Sequence, residues 1–179
     1  MDEAGRRATV RFPARLILGS PLHQLAFGFG TGLAPVAPGT FGTLPGVLLF
    51  LALSWLHAPA YVVALLVLSV AGVIICGTSS RRLGVHDHPG IVFDEMVGYC
   101  VAALPLLPAL GWLDVPLWAG LLVVFVAFRF FDAFKPPPID WLDARLEGGL
   151  GIMLDDLAAG VMAAAASWVV LIGLDFFFW

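Results

Sequence analysis

Two phrases in this chain set paired carboxylates at the mouths of apolar runs. Gly90-Ile91-Val92-Phe93-Asp94-Glu95 leads into one run, and Gly151-Ile152-Met153-Leu154-Asp155-Asp156 leads into another. Four acids beside membrane-type segments are costly unless something balances them. A bound divalent cation would do so. Mg²⁺ suits the donor set, because it is a hard cation that prefers oxygen ligands. Both pairs are predicted just before or within the first turn of a helix, where the positive end of the dipole also favours a carboxylate. The matching contexts point further, to a structural repeat whose two acid pairs face each other.

A second constellation is Arg129-Phe130-Phe131-Asp132-Ala133-Phe134-Lys135. Positions three apart share a helix face, so Arg129, Asp132 and Lys135 form a mixed-charge stripe. Arg and Lys there could clamp phosphate oxygens, with Asp132 either on the metal or orienting the cations. Snorkelling with a local ion pair is the plainer alternative. Pro136-Pro137-Pro138 stops the helix and stiffens its exit.

Residues 28–44 are rich in Gly and Pro. No Gly-Lys-Ser/Thr follows, so this is not a P-loop, and no βαβ pattern makes it a dinucleotide fingerprint. The composition predicts a re-entrant or interfacial loop, in which Gly39, Thr40 and backbone N–H groups could help hold an anion. In His86-Asp87-His88, Asp87 could reach the site of Asp94, and His88 could act as a general acid or base. Otherwise this is a polar loop.

These residues must be positioned by membrane elements. The chain has 179 residues, 60% hydrophobic and 12% charged, with a mean hydropathy of +0.97. Soluble domains carry about 25% charged residues. The expected fold is all-α: a polytopic membrane helix bundle with about five apolar segments, near 44–57, 60–77, 97–111, 117–131 and 157–174. Most fall short of the ~20 residues of a full span. The first is the least regular, bracketed by Pro45, Gly46 and His57. Residues 1–15 read as a basic tail and 16–179 as one membrane-embedded catalytic domain.

Arg6, Arg7, Arg11 and Arg15 precede the first run, Arg81 and Arg82 follow the second, Arg129 stands at the end of the fourth, and Lys135 and Arg145 follow it. With five spans, all of these lie on one side, which the positive-inside rule makes cytoplasmic. The net charge of −4 gives no reason to expect nucleic acid. Cys76 and Cys100 make no disulfide framework or zinc pattern, and nothing predicts a protein partner.

Four phrases, taken in order, resemble the phosphatidylglycerophosphatase A family. They are Gly30-Thr31-Gly32 with Pro38-Gly39-Thr40-Phe41-Gly42; Val85-His86-Asp87-His88 with Asp94-Glu95-x-x-Gly98; Phe128-Arg129-x-x-Asp132-x-x-Lys135-Pro136-x-Pro138-Ile139; and Gly148-Gly149-x-Gly151-Ile152-Met153-x-Asp155-Asp156-x-x-Ala159-Gly160. Thr43 stands where the family often has Ser, which keeps a hydroxyl. The resemblance implies a Mg²⁺-dependent phosphomonoesterase of the bacterial inner membrane. Its substrate would be phosphatidylglycerophosphate and its products phosphatidylglycerol and phosphate.

The expected site then joins metal ligands Asp94, Glu95, Asp132, Asp155 and Asp156 to phosphate-binding Arg129 and Lys135. Water attacks in line, and a phospho-aspartate is the less favoured route. A small cation- or proton-coupled transporter is the competing class, since intramembrane acids also mark transport sites. It would place its acids in mid-span.

Overall fold

The computed structural model describes residues 11–85, 88–107 and 115–178, side chains at 143, 177 and 178 excepted. Among them the chain is helical, with no strand. Two short helices open it, α1 (Ala14–Leu18) and α2 (Pro21–Ala26), followed by a 3₁₀ turn over Gly28–Leu33. The main elements are α3 (Pro38–Leu53), α4 (Ala58–Leu83), α5 (Phe93–Ala102), α6 (Leu117–Phe134), α7 (Ile139–Arg145) and α8 (Gly148–Phe178).

Three helices are long and apolar enough to cross a membrane: Ala58–Leu83, Leu117–Phe134 and Gly148–Phe176. Four of the five predicted apolar runs fall mainly on α3, α4, α6 and α8, and the third begins on α5, its last residues, 108–111, lying outside the described residues. Helix α3 has 16 residues, and α5 has 10 before giving way to a 3₁₀ turn.

The helix boundaries also move, for a physical reason. Several glycines are contact surfaces inside helices. A Cβ on Gly149 would strike the Val73 carbonyl, and one on Gly77 would lie 2.9 Å from Gly149 Cα. Bare backbone there lets α4 and α8 touch, so α8 begins at Gly148 rather than near residue 157. One turn past the first acid pair, a Cβ on Gly98 would come within 2.7 Å of the Asp156 carbonyl oxygen and 2.9 Å of the Phe128 ring. Three helices, α5, α6 and α8, converge on that glycine.

Local chemistry fixes the ends. His57 caps α4 by accepting the Ala60 N–H at 3.1 Å. Gly84 closes α4 in the left-handed region (φ 68°), with Val85 N–H donating to Ser80 O. Helix α6 stops before Pro136, and Lys135 takes the left-handed conformation (φ 42°). That conformation costs a non-glycine residue about 1–2 kcal/mol.

Tyr61 and Tyr99 tie the core together. Tyr61 OH donates to Cys100 O at 2.7 Å, and Tyr99 packs edge-on against Phe128. Near α2, buried His23 lies 2.8 Å from the Ser79 hydroxyl. Burial, and then the charge of Arg82, hold the His23 pKa below its ordinary value.

The N-terminus of α3, the C-terminus of α4, the N-terminus of α5, the C-terminus of α6 and the first third of α8 share one end of the bundle. Seven of the chain's nine Lys and Arg residues lie on described segments at that end, and Arg6 and Arg7 precede it. The opposite end exposes Trp55 and Trp118.

Candidate active site

Helix α5 brings Asp94 and Glu95 in its first turn, as expected. Helix α8 does something different. It starts at Gly148, so Asp155 and Asp156 stand two turns inside it. The dipole argument therefore holds for the first pair and fails for the second. The expected repeat is not a repeat of backbone.

The pairs nevertheless meet. Asp94, Asp155 and Asp156 are all buried. Asp156 lies within electrostatic reach of Asp132, Asp94, Asp155 and Glu95. Five carboxylates thus form one cluster.

Two cations stand among them. Arg129 Nη1 donates to Glu95 Oε2 at 2.9 Å and to Asp132 Oδ2 at 2.5 Å. The second contact is the i,i+3 pair expected from the stripe. Lys135 Nζ donates to Asp155 Oδ2 at 2.7 Å, and this ion pair offsets the cost of the left-handed backbone at Lys135. Both phosphate-binding candidates are paired with candidate metal ligands.

Gly39 and Thr40 are not on a loop. They form the first turn of α3, behind Ala37 as the cap. A Cβ on Gly39 would lie 2.9 Å from Arg129 Nη2 and would overlap Glu95 Oε1. Gly39 is therefore where α3 reaches the Glu95–Arg129 pair. Thr40 is half-buried beside it.

Sequence reasoning gave Thr43 no role beyond its hydroxyl. That hydroxyl is fully buried, 2.9 Å from Gly39 O and 3.0 Å from Glu95 Oε2. Arg129 Nη1 approaches it at 3.4 Å. The available signal was its place one helical turn after Gly39, on the same face.

His88 goes elsewhere. Its ring packs against Phe12 and Phe27, and Nδ1 accepts the Gly90 N–H at 2.9 Å. It lines a neighbouring cavity with Arg11 and Pro38. Asp87 lies outside the described residues.

The cluster holds three more carboxylates than cations. The Glu95 carboxylate sits between the positive charge of Arg129 and the negative charge of Asp132. Among the described residues, no three His, Cys, Asp or Glu side chains stand as a ready metal cage. The donors are nonetheless hard oxygen anions in charge excess, the chemistry that fits Mg²⁺.

A helical protein with membrane-length helices, and a buried acid cluster threaded by two cations at one end, is built to handle a charged group at a bilayer surface. The chain belongs to the phosphatidylglycerophosphatase A family, whose sequence model matches residues 24–171. It is 39% identical over 157 residues to phosphatidylglycerophosphatase A of Escherichia coli, covering 88% of this chain and 87% of that one. It is 39% identical to phosphatidylglycerophosphatase A of Haemophilus influenzae, covering 87% and 92%. A Bacteroides thetaiotaomicron protein, provisionally named a phosphatidylinositol-3-phosphatase, is 34% identical over 80% of this chain and 91% of its own. No solved structure matches.

Proposed function

We propose that this protein hydrolyses phosphatidylglycerophosphate to phosphatidylglycerol and phosphate, with Mg²⁺ as cofactor. The supporting observation is the cluster of Asp94, Glu95, Asp132, Asp155 and Asp156 with Arg129 and Lys135, at one end of the bundle, in a member of this family.

The substrate carries a terminal phosphomonoester on a glycerol headgroup, while its acyl chains stay in the bilayer. Arg129 and Lys135 are the groups that can meet the phosphate oxygens. The fork of Arg129 suits two oxygens, and Lys135 adds a point charge. Glu95, Asp132 and Thr43 keep the guanidinium aimed. Asp94, Glu95, Asp132, Asp155 and Asp156 would hold Mg²⁺. When bound, Mg²⁺ supplies the positive charge that the cluster lacks and stabilises charge developing on the phosphoryl group. The buried carboxylates can take the proton that attacking water loses. Preorganised charge and position are the main catalytic resources of such a site.

The orientation we propose puts the site end in the cytoplasm, at a bacterial inner membrane. Every Lys and Arg of the chain falls on that side of the fold or precedes it in sequence. Five crossings are part of this proposal. Helix α3 would be a short, thinned crossing of about 24 Å, and α5 with the 3₁₀ turn after it would begin the third. Helices α1 and α2 with the 3₁₀ turn would form an interfacial element, since Leu16, Leu18 and Phe29 are exposed there. A transporter fits less well, because the acids collect at one end beside cations.

The test is phosphate release from phosphatidylglycerophosphate in detergent micelles, with Mg²⁺ and then with excess chelator. Release that needs Mg²⁺ and is lost in Asp94→Asn is the expected result. No release from folded, Mg²⁺-supplied protein would overturn the assignment, and ion flux in liposomes would then test the transporter.

A further inference from the structure

Helix α2 is fastened twice. His23 Nδ1 lies 2.8 Å from the Ser79 hydroxyl of α4, and both side chains are buried. One turn on, Ala26 O accepts the Val92 N–H at 2.8 Å. Val92 is the residue from which α5 starts, and Asp94 and Glu95 stand in the first turn behind it. A Cβ on Gly28 would lie 2.9 Å from the Val92 side chain and 3.6 Å from Met96 Sδ, so the turn after α2 also rests on α5. Through α2, the last turns of α4 are thus connected to the helix that brings the first acid pair.

The surroundings of the His23 ring are cationic. This end of α4 contributes Arg81, Arg82 and the Cys76 thiol, while α1 contributes Arg15, with Arg11 before it. The 3₁₀ turn contributes no titratable group. His88, against Phe27, and then Asp94 and Glu95 come from the segment that α2 meets. Burial, and after it the charge of Arg82, favour the neutral ring. A charged ring could keep its hydrogen bond to Ser79 by donating through Nδ1. It would then be a poorly solvated cation beside Arg82. Docking of α2 therefore has its full strength above the ordinary histidine value of 6.5 and weakens as the pH falls below it.

We propose that His23 is a positioning residue for the acid cluster, a latch whose neutral ring seats α2 on α4 and so sets the start of α5, and whose protonation unseats both. Its part in turnover rests on the lipid-phosphatase reading above. The latch itself does not.

Cys76 gives a readout that needs no substrate. It is fully buried, in the same apolar cluster as Ala26 and Phe27. Its alkylation by N-ethylmaleimide, located by mass spectrometry, is followed in detergent and normalised to free cysteine at each pH, because the thiolate is the reactive form. In wild type the normalised rate should rise by up to about tenfold per pH unit below the histidine value. His23→Asn keeps a polar atom near Ser79 but takes up no proton, and its rate should be flat. Arg82→Gln, at an exposed position, lets the docked ring accept a proton more readily, so its rise should be smaller than in wild type. Turnover is the second readout. The ratio of kcat at about pH 5.5 to kcat at about pH 7.5 should be several-fold lower in wild type than in His23→Asn.

A flat rate in wild type, or an equal rise in His23→Asn, overturns the latch. A profile in Arg82→Gln identical to wild type does the same, whether or not His23→Asn folds. If labelling behaves as expected but the two kcat ratios agree, the latch opens without moving the acids, and the positioning role is wrong. A wild type that releases no phosphate at any pH removes the lipid-phosphatase reading and the positioning role with it, while labelling still decides the latch.

Discussion

At Gly90–Glu95 the chain arrives from a turn and starts a helix at Phe93. At Gly151–Asp156 it is already inside α8. The residues are nearly the same and the backbones are not. In the first phrase Gly90 lies in a loop: its N–H is held by His88, and Val92 N–H donates to Ala26 O at 2.8 Å. A Cβ on Gly90 would run into Phe27 and the Gly32 carbonyl. Those contacts keep the segment out of a helix until Phe93. Just before the second phrase Gly149 lies against α4, helix on helix. The two routes end at the same place, where α5 and α8 cross at Gly98 and Gly160. Recurrence of sequence here reflects a shared destination for carboxylates rather than a shared local structure.

The largest effects should come from the acids themselves. Asp94→Asn and Asp155→Asn should each lower kcat by about a hundredfold or more. Helical circular dichroism and melting should change little. Equal losses would mean that both routes deliver equivalent groups. A loss confined to one phrase would break the symmetry and assign the chemistry to one helix.

Arg129→Lys comes next. A lysine cannot reproduce a guanidinium shared between Glu95 and Asp132, so kcat/KM should drop roughly tenfold. Steady-state kinetics on the lipid substrate reads it. Gly149→Val tests the helix-on-helix half of the comparison. It should destabilise the fold by about 1–3 kcal/mol through overpacking against α4, seen as a lower midpoint in thermal unfolding in detergent. The smallest effects belong to Thr43. Thr43→Val should cost activity several-fold, since a hydrogen bond to a charged group is worth about 1.5–3 kcal/mol before others compensate. Thr43→Ser keeps the hydroxyl and should stay within about twofold on the same assay.

Much of the site is legible from residue types. Five acids, Arg129, Lys135 and Gly39 are all drawn to one end, because charge in an apolar chain has few places to go. What stays hidden is pairing. Spacing predicts that Arg129 and Asp132 share a face, and they do. It does not predict that Glu95, 34 residues earlier, completes the pair, or that Lys135 spends its charge on Asp155. His88 shows how a turn redirects a side chain that sequence places near the acids. A histidine seven residues before a Glu looks available for proton transfer, but the turn that starts α5 carries it toward Phe12 and Phe27. In the fold, apolar runs mark helices, while helix starts are misjudged wherever glycine serves a close crossing. Gly149 is such a glycine, set against Val73 and Gly77 of α4.

The confinement of the charged cluster to one end of the bundle sets an upper limit on what the enzyme can do. A molecule fixed across a membrane, with its site at one surface, is blind to lipids of the other leaflet. In sealed vesicles carrying substrate on both sides and protein in a single orientation, phosphate release should stop when one leaflet is exhausted. Only transbilayer lipid movement could restart it. The height of that plateau measures orientation without labelling the protein, and makes the direction of insertion a readable stoichiometry.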